Sequence, residues 1–205
     1  MIRPSVDAII DVMNAKGYRV YDTPGVDYNL NIVGIRSFNP QPREFDDTLV
    51  IFHRFRGVWD IYNWHITTDP GIFYLLNPPA DRPGTAILKE GQYRGVYKID
   101  IHGRGRPGSH LALCQRLGNV TVYRDSNRDD SLNLIPGTEQ TGKFGINIHK
   151  ARSSDTPLFN WKASAGCQVF ADHRQFNQFM QMCKFGRDAF GNKFTYTLLH
   201  ERDFS

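Results

Sequence analysis

Cysteine is scarce in this 205-residue chain, and its three cysteines, Cys114, Cys167 and Cys183, lie far apart with no C-x-x-C pair. That excludes a disulfide framework, which needs an even set, and a zinc ribbon, which needs closely spaced pairs; no metal and no cofactor is expected. Long apolar runs are missing too. None approaches the roughly 20 residues that span a bilayer, so no membrane partner is expected. The stretch Met1-Ile2-Arg3-Pro4-Ser5-Val6-Asp7 has no apolar core, which predicts a chain made in the cytoplasm without a signal peptide. Repeats, low-complexity tracts and linkers are absent as well. Residues 1–205 therefore read as one domain, with 1–45 as an N-terminal extension packed on it. The excess of positive charge is small, 25 Lys and Arg against 21 Asp and Glu, and it lies in residues 101–205, with 14 basic against 9 acidic residues. Such a surplus suits weak attraction to an anionic surface rather than specific nucleic-acid binding.

What the chain has in abundance is strand signal. Residues 28–36, 48–55, 58–67, 95–101, 109–115 and 119–124 are rich in β-branched and aromatic residues, with Gly and Pro turns between them. A mainly antiparallel sandwich or barrel follows. Two helices interrupt it. Ser5 can cap a helix through Ala15, with Val6, Ile9, Ile10 and Met13 on one stripe and Gly17 as its stop. Asp172 with Gln175 forms a capping-box pattern ahead of Phe176, Phe179, Met180 and Cys183, and Gly186 is placed to end that second helix. A last strand spans 193–199.

The chemistry concentrates between residues 144 and 172. Phe144-Gly145-Ile146-Asn147-Ile148-His149 alternates apolar with other residues, which sets Asn147 and His149 off the apolar face of a strand. After His149 come 14 residues and then Ser164-Ala165-Gly166-Cys167. A cysteine in a glycine turn just before a helix has N–H groups that favour a thiolate, and a histidine can serve as its base. Cys114 and Cys183 read as small buried hydrophobes. His149 could instead be a satisfied core histidine.

This arrangement resembles the L,D-transpeptidases of the YkuD type, whose motif is His, 14 to 17 residues, then Ser or Thr, His, Gly, Cys, a hydrophobic residue and Asn or Arg. His149, Ser164, Gly166 and Cys167 fall on matching positions, while Ala165, Gln168 and Val169 depart from the pattern. The resemblance covers residues 144–200. It implies an L,D-transpeptidase-like β-sandwich with a short N-terminal helix and a helix after the cysteine. It further implies attack of Cys167 on a peptidoglycan stem peptide through a thioester, with His149 as base and Ser164 shaping the turn. The N–H groups of Gly166 and Cys167 would hold the oxyanion, and Asn147 and Gln168 would face the substrate, Asn147 orienting the His149 ring. Acting on the wall without a signal peptide fits a phage or prophage lysis protein or a delivered effector. A catalytically inactive wall-binding or phage structural module is the alternative, and a DNA-associated protein using the arginine loop is a third reading.

Three other patterns compete for a role. Arg104-Gly105-Arg106-Pro107 has the look of a minor-groove hook, yet lies between two expected strands and reads better as a basic hairpin loop. Asp125, Asn127 and Asp129 open a calcium-loop pattern, but Asp130 and Pro136 stand where its glycine and glutamate belong, which favours a polar turn. His102 and His110 could rival His149 as base, and Trp59, Tyr62, Trp64 and Phe73 are expected to fill a core rather than stack on sugar.

Overall fold

The computed structural model describes residues 2–42, 44–78, 83–151 and 161–205. The first helix, α1 (Val6–Ala15), forms as its sequence dictates: the Ser5 hydroxyl accepts the Ala8 N–H at 3.2 Å, and Ile9 and Met13 are buried. Gly17, at φ 69°, takes the chain out of the helix.

The protein is mainly β. Strands β1 (Asn31–Arg36), β2 (Asp47–Phe55), β3 (Val58–Thr67), β5 (Gly91–His102), β6 (His110–Gln115), β9 (Ile148–Lys150), β10 (Gln168–Phe170) and β11 (Phe194–His200) close into an eight-stranded barrel. Around it the order is β1-β11-β5-β6-β9-β10-β3-β2. A separate three-stranded sheet is made by β4 (Thr85–Leu88), β7 (Val120–Asp125) and β8 (Gln140–Gly142). Most ladders are antiparallel, as the short strands and tight turns predict. Two are parallel: β1 with β11, and β9 with β10. A parallel pair cannot be joined by a tight turn and needs a crossover of a dozen or more residues. For β9 and β10 that crossover runs from Ala151 to Cys167, which is the physical content of the long spacing between His149 and Ser164.

Two apolar cores flank the barrel wall. The interior holds Ile32, Leu49, Ile51, Tyr97, Ile148, Phe170 and Leu198, closed over by Phe176, Phe179 and Cys183 of α3 (His173–Phe190). The outer core packs Ile9 and Met13 of α1 on Val33, Ile35, Val50, Phe52 and Leu199. Every residue of β1 is therefore buried. Each large side chain so removed from water contributes about 1.5–3 kcal/mol. Residues 1–45 are not a separable extension, because β1 is a stave of the barrel itself.

Two expectations for α3 change. Asp172 caps the helix by accepting the Arg174 N–H at 2.7 Å, but Gln175 accepts the His65 N–H on β3 instead of completing a capping box. The helix also runs past Gly186 to Phe190 and ends at Gly191, φ 84°. Gly186 serves packing: a Cβ there would lie 2.8 Å from Leu30 Cδ1. A short helix α2 (Ile72–Leu76) and strands β4, β8 and β10 carry no readable sequence signal beforehand.

Candidate functional site

Strands β9 and β10 position the candidate site. Their parallel register sets Gln168 beside Ile148 and Val169 beside His149, and the Gln168 N–H donates to the Asn147 carbonyl at 2.9 Å. Cys167, one residue earlier, lies beside Asn147, whose N–H reaches its Sγ at 3.4 Å. Ile146 and Ile148 join the barrel core, but the alternating strand expected from Phe144 begins only at Ile148, because Gly145 takes φ 75° and residues 143–147 lie outside any strand; alternation within β9 still turns His149 to the face opposite Ile148, with Asn147 just before it. That face is nonetheless covered. His149 is 4 % exposed and Asn147 5 %.

The turn before Cys167 is built as the sequence suggests. The Ser164 hydroxyl donates to the Cys167 carbonyl at 2.7 Å and accepts the Gly166 N–H at 3.0 Å, while its own carbonyl accepts the Gly71 N–H. Gly166 has φ 117°, and a Cβ there would run into the Ala86 carbonyl oxygen of β4. Only glycine fits. The Gly166 N–H is thus used inside the turn, which corrects its expected place in an oxyanion site and leaves the Cys167 N–H as the turn's candidate donor.

The expected thiolate is corrected as well. Strand β10 stands between Cys167 and the start of α3, and the Arg174 N–H at that helix start is given to the Asp172 carboxylate. Cys167 Sγ donates to the Gly145 carbonyl at 3.4 Å, and burial pushes its thiol up to about 11, the Asn147 N–H only partly offsetting this. A neutral thiol is held there, which needs a base to react.

No family model, curated protein or solved structure matches this chain.

His149 is oriented by its own backbone neighbour: Nδ1 lies 2.7 Å from the Lys150 carbonyl, so Nδ1 carries the proton and Nε2 is the basic nitrogen. Two further histidines, the rivals named from sequence, gather around it from the β5–β6 hairpin. The His102 ring stacks on His149 with centroids 3.9 Å apart, and His110 lies 6.1 Å away. Asn147 does not orient His149 directly. Its amide donates to His102 Nδ1 at 3.0 Å while its Oδ1 accepts the Gln115 N–H. Burial lowers the pKa of His110, and its Nε2 is buried with no hydrogen-bond partner among the described residues. Gln168 is corrected more sharply: it points into the barrel, fully buried, accepting the Tyr196 hydroxyl at 2.9 Å. It cannot face a substrate. Residues 152–160, between the histidine and the serine, lie outside the described residues.

The competing patterns resolve by geometry. Residues 103–109 form the β5–β6 turn, and Arg104 is tied to Asp100 at 2.9 Å, with Arg116 on the same carboxylate at 3.1 Å. A pinned arginine is poorly suited to reach into a groove. Asp129 accepts the Asn127 amide and the Ser131 N–H, and Asp125 accepts the Asn133 N–H, which makes a polar turn closed on itself. Trp64 is core, 4 % exposed; Tyr62 is exposed and stacks on it at 5.9 Å.

One group escaped sequence reading. Asp46, Asp47 and Asp69 bring carboxylate oxygens within 4.8 Å of one another, a set able to hold a cation. The buried Arg36 guanidinium already fills much of that role, pairing with Asp69 at 3.4 Å and Glu90 at 2.8 Å. Asp47 is held by the N–H groups of Ser37 and Thr68. The adjacent Asp46 and Asp47 were the only available sequence signal.

Proposed function

We propose that the chain is a cysteine-nucleophile acyl-transfer enzyme acting on peptidoglycan stem peptides, with an L,D-transpeptidase-like catalytic fold. The reading draws support from one observation: Cys167, the residue before β10, adjoins Asn147, two residues from His149 of β9, whose Nδ1–H is given to the Lys150 carbonyl so that Nε2 is the basic nitrogen. In the reaction, His149 Nε2 takes the Cys167 thiol proton as sulfur bonds to the peptide carbonyl carbon. The Cys167 N–H supports the oxyanion, and the C–N bond breaks with return of the proton to the leaving amine. The thioester then passes to water or to an amine. Because the thiol is held neutral, proton transfer accompanies attack rather than preceding it.

A second reading, a wall-binding module without turnover, draws support from the raised thiol pKa and from Ala165 at the motif's second histidine. Incubation with purified diaminopimelate-type muropeptides followed by mass spectrometry separates the two. Trimmed or cross-linked products, with a thioester adduct mapped to Cys167, are expected. Intact muropeptides together with unmodified Cys167 would leave the binding module as the better account.

A further inference from the structure

A cavity of about 660 Å³ opens where the segment before β1 meets β5, the end of α3 and the start of β11. It shares no lining residue with the Cys167 turn, and it is built from backbone irregularities. The register of β11 against β5 shifts between Phe194 and Tyr196, which releases Thr195 from the ladder. The Thr195 hydroxyl accepts the Gly95 N–H at 3.0 Å and shares a hydrogen bond with the Tyr21 hydroxyl at 2.8 Å. Gly95 itself has φ 61°, and a Cβ there would collide with Lys193 Cε, so glycine lets the lysine stem lie across the bulge. On the opposite wall Tyr28 sits at φ 64°, a strained conformation for so large a side chain, its ring packed on His53 at 4.9 Å and Phe185 at 5.0 Å.

The lining combines aromatic walls with charge of one sign. Tyr28, Phe190 and Phe194 line it; Phe194 is largely buried, while Phe190 remains 42 % exposed. Arg94 and Lys193 are both exposed, and among the described residues neither is within ion-pair distance of a carboxylate. The lining holds no Asp or Glu, and the nearby Asp22 is engaged by Arg54 at 3.1 Å. Two unpaired cations beside aromatic faces, in a cleft within the ~300–1,000 Å³ range of small-molecule sites, fit one chemistry. We propose that this cavity binds a small molecule in which a ring carries a single phosphate or carboxylate. The anion sits between Arg94 and Lys193, the ring lies on the aromatic wall, and the Tyr21 and Thr195 hydroxyls take its polar edge.

Two sources share that chemistry, a nucleoside monophosphate and an acidic amino sugar, and calorimetric titration with four probes distinguishes them: adenosine 5′-monophosphate, N-acetylmuramic acid, adenosine and inorganic phosphate. One of the two anionic ring compounds should bind with a Kd below about 1 mM, and adenosine and phosphate at least about tenfold more weakly. Replacing Arg94 and Lys193 together by Gln should weaken that binding at least about tenfold, and Arg94→Gln alone should act in the same direction, while these exposed changes leave the unfolding midpoint in place. Cys167→Ser should bind unchanged, so the cavity stands or falls apart from the cysteine chemistry. Absence of binding by both anionic ring compounds up to about 10 mM, equal binding by phosphate alone, or undiminished binding by the double variant overturns the proposal.

Discussion

The imidazole of His102 lies flat on that of His149, ring centroids 3.9 Å apart and planes 16° from parallel. A base embedded in this way depends on its neighbours for its direction. Asn147 holds His102 and His102 backs His149, so a residue from the β5–β6 hairpin positions the proposed base on β9.

Replacing His102 by Ala should therefore reduce muropeptide turnover about tenfold while Cys167 remains able to be alkylated, because the base loses its backing but not its nitrogen. His149→Ala should abolish turnover and also destabilise by about 1–3 kcal/mol, since the Lys150 carbonyl loses its donor in a buried place. Urea unfolding together with muropeptide assays reads both quantities. Full turnover in His149→Ala would remove it from the mechanism.

Alkylation should discriminate among the three thiols. Cys114 and Cys183 are fully buried and should label only on unfolding, whereas Cys167 is half-buried and should label in the folded protein. With the Cys167 thiol pushed up to about 11, its labelling should be slow near neutrality and rise about tenfold per pH unit toward that value. Peptide mapping after iodoacetamide treatment across the pH range checks this. A plateau already reached at neutral pH would mean a preformed thiolate, contrary to the geometry described.

The Gly166 turn should tolerate no side chain. Gly166→Ala combines a positive φ with a clash against the Ala86 carbonyl and should cost about 2–5 kcal/mol in urea unfolding. Gly137→Ala is the control, having a comparable φ of 91° but open space around it, and should cost about 1 kcal/mol. Equal losses at the two positions would show that Ala86 yields to the new methyl group.

Asp46 gives a signed pH dependence. Burial, with the Asp47 charge beside it, raises its carboxyl to about 6, so the folded chain holds a proton that the unfolded chain has released. Its contribution to stability should accordingly fall as pH rises from about 4 to about 6 and stay level above. Asp46→Asn should flatten that slope and stabilise at neutral pH by about 1 kcal/mol, a figure reduced from the full shift because the group is only half-buried. Urea midpoints of the two proteins at pH 4, 5, 6 and 7 test it (the pH series of the linkage relation). Parallel curves would mean that Asp46 is ionised throughout.

Strands β2 and β3 are legible in the sequence because β-branched and aromatic residues persist there for nine or ten positions. Strand β10 is not, since Gln168-Val169-Phe170 is too short to display a period after a glycine turn. That one omission misplaced two residues. With β10 unseen, Cys167 looked like the entrance to α3 and Gln168 like a substrate contact, whereas alternation within β10 sends Gln168 inward with Phe170. That the Cys167 turn lies close to β9 was readable because the crossover is local in sequence, although the sulfur itself meets Asn147 and Gly145. His102 was not readable as a partner, because it reaches His149 only through the folding of a distant hairpin.

The neighbourhood of β1 and β11 governs how the protein reaches its native state. These strands are far apart in the chain yet lie side by side, and Lys16 after α1 pairs with Asp203 beyond β11 at 2.8 Å. Closing a loop of that length carries a large entropic charge before any contact rewards it, which sets folding on the slow, millisecond-to-second scale of barrels (about 1 ms to 1 s). Until β11 arrives, one edge of β1 is bare and ready to pair with another chain. During synthesis the protein is therefore most prone to aggregate in the interval between the pairing of β1 with β2 and the docking of β11.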